Sequence, residues 1–510
     1  MKVIKFLINR AALTTFFIII ELVAVVLAIL YVGEYFWYFY IALEFVSVIV
    51  VLHLTNNDQD PTTKFPWLII ILIIPPFGMV IYFMFNLNAP QKRQLKHLKE
   101  IKEQLEVHLP KNLEEKNLLK QTDTCAFGQS VYLEKQNNIA VYKNTKVTYF
   151  SSGESFFKKY IEEIKKAKKF IFLEYFIIDN GKLWRTIYAI LKEKAKENVQ
   201  VKIMYDDIGS IYKLPYRFNK KISAKNIECI KFNKYRPIVS AIHNNRDHRK
   251  MTIIDNNIAF SGGLNIADEY INKKQPFGHW KDSGIMLRGN AVTPMTLEFL
   301  KLYYLQTGKI EKTENFFELN KKTQNQEQGF VQPFFDAPFP IYKDRVGENA
   351  YLNIINQAKD YIYITTPYLI IDYNFLSSLK LAAKRGVDVK IITPHIPDKK
   401  IIFMQTQASY KYLLMDGIKI FEYTPGFMHS KTIVCDDKYA IVGTFNIDYR
   451  SFVHHFENGV WMFNVSCIKD IKKDFEKTIK ESKKIEIGNY NFGMIKKIFS
   501  DIISIFSALM

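Results

Sequence analysis

The sequence predicts an α/β fold built from two duplicated halves with pseudo-twofold symmetry, preceded by N-terminal transmembrane helices. Three observations carry that prediction. The pattern H-x-K-x4-D occurs twice, as His248, Lys250, Asp255 and as His429, Lys431, Asp436. The residues around the two copies repeat as well. Long apolar runs fill the N-terminal 90 residues.

From the N-terminus, Ala11–Tyr31 is apolar apart from Thr14, Thr15 and Glu21, and Phe36–Leu54 carries one acid, Glu44. Phe65–Phe85 contains Pro66, Pro75, Pro76 and Gly78. Each run is near the ~20 residues that cross a bilayer, and their length and number argue against a cleaved signal peptide. Lys2, Lys5 and Arg10 place the N-terminus inside, and Lys92, Arg93, Lys96, Lys99 and Lys102 pull the region after the third run inside too. Both hold for an even number of crossings. The stretch at Pro75–Gly78 is thus a candidate re-entrant segment, and the catalytic body is expected in the cytoplasm.

The chain carries a net +19, and residues 1–90 hold four Lys/Arg against five acids, so the basic excess lies in the body. That charge fits an anionic partner such as phospholipid or nucleic acid. A hydrophobic content of 48% excludes wholesale disorder. The four cysteines, Cys125, Cys229, Cys435 and Cys467, form no C-x-x-C and indicate neither a disulfide framework nor a zinc site.

The expected order is a membrane-anchoring segment (1–90), a charged helical connector (91–135), a first half (136–310), a linker rich in Asn, Gln and Lys (311–335), a second half (336–485) and a C-terminal amphipathic helix (486–510). In that last helix Ile495, Ile498, Phe499, Ile502, Phe506 and Leu509 share a face that suits either a membrane surface or the body itself. Between the halves, 167–176 parallels 358–365, the helical stretch Leu183–Glu197 parallels Tyr373–Arg385, and 199–204 parallels 387–392. Strands alternating with helices read as α/β with a largely parallel sheet. β-Branched residues dominate 251–255 and 432–436, which places both motifs on strands. On a strand, His and Lys two apart share a face; on a helix they would diverge by about 200°.

Two histidines brought to one pocket suit phosphodiester chemistry. A neutral imidazole attacks phosphorus while a protonated one donates to the leaving alkoxide, with the roles reversing when a second alcohol or water enters. Lys250 and Lys431 would hold the non-bridging oxygens, and Asn265 and Asn446, just after a glycine turn, would add hydrogen bonds. Each histidine needs an acceptor on its far nitrogen. Asp282, downstream of His248, and Glu457, downstream of His429, are the candidates. Asp255 and Asp436, within the same catalytic pattern, look like structural ends of the motif strand. The scheme requires no metal and no cofactor. His243, His279, His395, His454 and His455 are read as surface or packing residues.

These features resemble the phospholipase D superfamily, and bacterial cardiolipin synthases within it. Beyond the paired motifs, the similarity rests on Leu173-Glu174-Tyr175, the run 205–210 (YDDIGS), Arg246-Asp247-His248-Arg249-Lys250, the run 262–270 (GGLNIADEY), Thr366-Pro367-Tyr368 and the run 446–452 (NIDYRSF). Trp67-Leu68, Pro76, Gly78, Tyr82 and Phe85 are similar to that family's N-terminal region. The resemblance implies two phospholipase D-like halves and transfer of a phosphatidyl group between phosphatidylglycerol molecules, with release of glycerol. It implies His248 as nucleophile and His429 as acid, and a bacterial cell membrane as location. Anionic phospholipid is then the expected partner rather than nucleic acid. Hydrolysis to phosphatidic acid, transfer to another alcohol and cleavage of nucleic acid are the competing readings. Two departures stand out: the run Ala11–Tyr31 is additional, and Lys281 stands where Arg is common.

Overall fold

The computed structural model describes residues 36–56, 61–74, 89–235, 244–317 and 328–487, with a few isolated positions outside those ranges. The first half contributes β1 (Lys146–Phe150), β2 (Phe170–Tyr175), β3 (Gln200–Asp206), β4 (Ile227–Phe232), β5 (Arg246–Asp247), β6 (Lys250–Ile254), β7 (Ile258–Gly262), β8 (His279–Lys281) and β9 (Gly284–Arg288). The second contributes β10 (Phe330–Asp336), β11 (Tyr361–Thr365), β12 (Asp388–Pro394), β13 (Lys419–Tyr423), β14 (Gly426–Met428), β15 (Thr432–Cys435), β16 (Tyr439–Gly443), β17 (His455–Phe463) and β18 (Ser482–Lys484). One sheet runs β1-β9-β7-β6-β2-β3-β4; the other runs β10-β17-β16-β15-β11-β12-β13-β18. The duplication seen in the sequence is therefore a duplication of sheet order.

The sheets are mixed rather than largely parallel. Along these two strand orders, among the described residues, β2-β3-β4 and β11-β12-β13 are parallel and the other pairings are antiparallel. Parallel neighbours need a crossover, and helices Lys182–Lys196 and Tyr373–Lys384 supply the first one in each half. The motif strands β6 and β15 instead pair antiparallel on both sides. The cause is local: Asp255 and Asn256 have φ of 52° and 49°, and Asp436 and Asp437 have 51° and 55°. Two consecutive left-handed residues make a type I′ turn, whose twist suits a hairpin. Asn257 N donates to the Ile254 carbonyl at 3.0 Å and Lys438 N to that of Cys435 at 3.0 Å, closing both turns.

The same two aspartates do further work with their carboxylates. Asp255 accepts from the backbone N–H groups of Lys168, Lys169 and Phe170 at 2.7–2.9 Å. Asp436 accepts from those of Lys359, Asp360 and Tyr361 at 2.8–2.9 Å. Each tethers the start of the neighbouring parallel strand, β2 or β11, to the end of the motif strand. Their position in the catalytic pattern thus reflects anchoring, and neither carboxylate is left for chemistry.

Two short parallel pairings join the halves: β5 with β17, and β14 with β8. The helix Ala89–Leu105 of the expected connector sinks Ile101 and Leu105 into a core shared by both halves. Strand β10 occupies the end of the stretch expected as linker, edging the second sheet. At the N-terminal end, helices Phe36–Asn56 and Pro61–Ile73 meet through Val50, Leu54 and Ile71, while Ile41, Phe45, Ile49, Leu52 and Leu72 stay exposed. Among the described residues no helix is long and apolar enough to cross a membrane. The expected run Ala11–Tyr31 lies outside the described residues apart from Val23 and Val26, as do residues 75–77 of the candidate re-entrant stretch. The apolar face expected at 495–509 also lies outside them. Beside it Ser500 is buried, and its carbonyl accepts from Gln405 Nε2 at 3.0 Å.

Replacing Asp255 with alanine removes the acceptor of three backbone donors, those of exposed Lys168 and Lys169 and of Phe170, and each such hydrogen bond contributes about 0.5–1.5 kcal/mol. Thermal unfolding of the solubilised protein should show that loss, while activity per folded molecule persists. A fully folded but inactive Asp255→Ala would contradict the anchoring role.

Candidate active site

The site is assembled by the two short pairings between the halves. Strand β5 ends one residue before His248, and its partner β17 begins with His455-Phe456-Glu457. The His248 N–H donates to the Phe456 carbonyl at 2.9 Å, extending the pairing to the motif itself. Strand β14 likewise ends one residue before His429, and its partner β8 ends one residue before Asp282. The His429 N–H donates to the Lys281 carbonyl at 2.7 Å. Each half thus delivers its histidine against a strand of the other half.

The orienting acids cross over accordingly. His248 Nδ1 is 2.9 and 3.0 Å from the two Glu457 oxygens. His429 Nδ1 is 2.6 Å from Asp282 Oδ2. The expectation that Asp282 serves His248 and Glu457 serves His429 is therefore corrected: Glu457 faces His248 and Asp282 faces His429. Order along the chain hid this, because two- and three-residue strands leave no periodic signature. With Nδ1–H donating to a carboxylate, each neutral ring keeps its lone pair on Nε2.

Glu457 is itself fixed by two hydroxyls that the sequence did not flag. Ser451 Oγ donates to Oε1 at 2.6 Å, and Thr444 Oγ1 donates to Oε2. Asp282 is anchored by the Ser283 N–H at 2.8 Å, and burial pushes its pKa up to about 7 against the pull of Lys431 and Lys250. Further cross-half bonds hold the rims together: Ser283 Oγ with Ser430 Oγ at 2.5 Å, and Asn458 Nδ2 to Ser261 Oγ at 2.7 Å.

Lys250 and Lys431 are buried, and each ammonium donates to the carbonyl of its own motif histidine. Burial lowers Lys250 to about 7 and Lys431 to about 8, with Glu457 and Asp282 respectively opposing that shift most strongly. Both histidines are held well below the usual imidazole range, first by burial and then by these lysines. His248 feels Lys250, Lys431 and His429 together, so the two motifs share one electrostatic site. Lys399, from the exposed segment after β12, acts on both rings and was not singled out in the sequence.

The asparagines differ. Asn265 Nδ2 donates to the Tyr270 hydroxyl at 2.6 Å and its Oδ1 accepts from Ile177 N at 3.0 Å, which commits one of its amide hydrogens. Asn446 is buried with Oδ1 unpartnered. Aromatic rings flank the histidines: Phe176 lies 5.0 Å from His248, and Trp280 and Tyr270 lie 5.1 and 5.5 Å from His429. His455, read as a packing residue, stands 5.3 Å from His248. Asp206 braces this arrangement, accepting from the N–H groups of Gly209 and Asp247 and from the Arg246 guanidinium.

This constellation of two imidazoles, two buried lysines and two orienting acids can hold a phosphodiester and exchange protons on either side of it. A family model described as cardiolipin synthase, PLD-like domain matches residues 160–277 and 351–479. A phospholipase D-nuclease N-terminal model matches 45–85. Cardiolipin synthase 2 of Bacillus anthracis is 33% identical, covering 85% of this chain and 84% of that protein. Cardiolipin synthase of Geobacillus kaustophilus is 32% identical over 91% and 93%. The crystal structure of phosphatidylserine synthase from Haemophilus influenzae superposes with a TM-score of 0.55 at 13% identity, covering 75% of this chain and 98% of that one. The chain belongs to the cardiolipin synthase family of phospholipase D-like proteins.

Proposed function

We propose that the protein is a membrane phosphatidyltransferase that condenses two phosphatidylglycerol molecules to cardiolipin and glycerol. The crossed pairs His248–Glu457 and His429–Asp282 carry the chemical part of this reading. The cardiolipin synthases among the relatives carry the substrate. The exposed apolar faces of helices Phe36–Asn56 and Pro61–Ile73 favour a lipid surface, and two or three N-terminal crossings would hold the body against it.

In the first step His248 Nε2 attacks phosphorus, the bond to the headgroup glycerol breaks, and the departing oxygen takes a proton from His429. Glu457 stabilises the positive charge that develops on His248. Lys250 and Lys431 hold the non-bridging oxygens, where charge gathers in the transition state. In the second step His429, now neutral, removes a proton from the glycerol hydroxyl of another phosphatidylglycerol, and that oxygen displaces His248. Both rings are pushed towards neutrality in the protein alone. The anionic phosphodiester offsets the lysine charges and so restores a proton to His429 when substrate binds.

Purified protein incubated with phosphatidylglycerol should yield cardiolipin by mass spectrometry; phosphatidic acid alone would mean hydrolysis, and unchanged lipid would overturn the reading. His248→Ala should abolish transfer, and His429→Ala should slow it roughly 10²–10⁴-fold, the range of general acid–base catalysis. EDTA should leave the wild type unaffected.

Lys250 also gives a pH signature. Its folded-state pKa of about 7 lies below the ordinary lysine value, so between about 7 and 10 the unfolded chain holds a proton that the folded one lacks. Its contribution therefore makes stability rise with pH across that window. Lys250→Met removes a buried charge, and should raise the melting temperature more at pH 6 than at pH 9 while abolishing transfer. A variant stabilised equally at both pH values would contradict the buried-lysine account.

A further inference from the structure

We propose that His248, His455 and Glu457 bind a borderline transition-metal dication such as Zn²⁺, and that a metal held there switches the site off. Only the activity readout of this proposal rests on the transferase reading. His455 and Glu457 lie two apart on β17 and so share a strand face. The pairing with β5 brings His248 onto the same face. One ligand atom from each of the three lies within 4.8 Å of the others. Glu457 Oε1 is 2.9 Å from His248 Nδ1 and 3.5 Å from His455 Nδ1. All three residues are at least nine-tenths buried.

Two imidazoles and a carboxylate are a donor set that suits zinc, with bonds of about 2.0–2.2 Å and a fourth position left for water. Such bonds set tetrahedral ligand atoms about 3.3 Å apart, a separation bracketed by the 2.9 and 3.5 Å contacts of Glu457 Oε1. A second observation points the same way. Nε2 of His455 is buried without a hydrogen-bond partner, and its Nδ1 has only the long contact to Glu457, whereas most buried polar side-chain atoms are well paired. The other half shows what an ordinary occupant looks like. The pairing β14–β8 makes Asp282 the counterpart of Glu457 and Trp280 the counterpart of His455. The Trp280 ring lies 5.1 Å from His429, as the His455 ring lies 5.3 Å from His248. An indole fills that place but cannot ligate a metal. Lys250 and Lys431 oppose a dication here and weaken its binding without removing the donor set.

The consequence for His248 follows from proton bookkeeping on one ring. In the active tautomer Nδ1 carries the hydrogen, donated to Glu457, and Nε2 carries the attacking lone pair. A metal between Glu457 Oε1 and His248 Nδ1 takes the Nδ1 lone pair, and the displaced hydrogen moves to Nε2. The ring keeps one hydrogen and stays neutral, but the nucleophilic lone pair is gone.

The test uses the full-length purified protein, stripped of metal, with phosphatidylglycerol in detergent micelles. Adding Zn²⁺ should lower kcat about tenfold or more with KM unchanged, and EDTA should restore it. His455→Phe should transfer normally without metal and need about 10–100-fold more Zn²⁺ for inhibition, the loss typical of a weakened metal site. His455→Gln serves if the phenylalanine variant fails to fold. Co²⁺ at one equivalent should give visible ligand-field bands in wild type that are absent in either variant. Equal Zn²⁺ inhibition of wild type and variant, Co²⁺ bands that persist without His455, or no metal bound by wild type would each overturn the proposal. If metal-free wild type makes no cardiolipin, the transferase reading fails, and the Co²⁺ spectrum still decides the metal site.

Discussion

The hydrogen bonds between each motif histidine and a carboxylate of the opposite half are the constraint on which the rest depends. Neither half alone pairs its motif histidine with a carboxylate. The imidazoles acquire a defined tautomer only when β5 lies against β17 and β14 against β8. β5, β8 and β14 have only two or three residues each and are too short to be stable alone, so they depend on the large sheets that hold the halves together. Docking of the halves and assembly of the site are one event.

That arrangement concentrates charge where burial is expensive. Lys250, Lys431, Asp282 and Glu457 all lie beneath the surface around two buried histidines. Each charge is offset by a specific partner: lysine to its motif carbonyl, Glu457 to Ser451 and Thr444, Asp282 to the Ser283 N–H. Behind the motif strand, Arg249 sits fully buried at 3.9 Å from Glu174 and 3.6 Å from Glu298, its guanidinium over Phe335 of the second half. Breaking a buried pair by removing one partner is strongly destabilising. A phosphodiester entering this polar layer meets charges that already lack water, which is the condition for strong electrostatic stabilisation.

The duplication, the strand character of the motifs and the helices after β2 and β11 were legible because each is a local, periodic signal. The histidines, lysines and both orienting acids were legible because phosphate chemistry demands those residue types. What escaped was set by contacts remote in sequence. The exchange of Asp282 and Glu457 follows from strands of two or three residues. The mixed sheet follows from paired positive-φ turns at Asp255-Asn256 and Asp436-Asp437, where Asp and Asn are tolerated without the glycine that usually announces such a turn. His455 passed for a packing residue because only the neighbouring strand reveals that it faces His248. Ser451 stood in the similar run 446–452 and Thr444 beside the second motif, but neither carried a sign that it would bind Glu457.

Rapid-quench trapping of the phosphatidyl-enzyme, followed by mass spectrometric mapping, tests the central claim most directly. A single site shared by two halves predicts one adduct per chain, on His248. It also predicts that Glu457→Ala, a change in the other half, removes the adduct by depriving His248 of its acceptor. Adducts on both histidines of one chain, or an adduct that survives Glu457→Ala and disappears with Asp282→Ala instead, would contradict it.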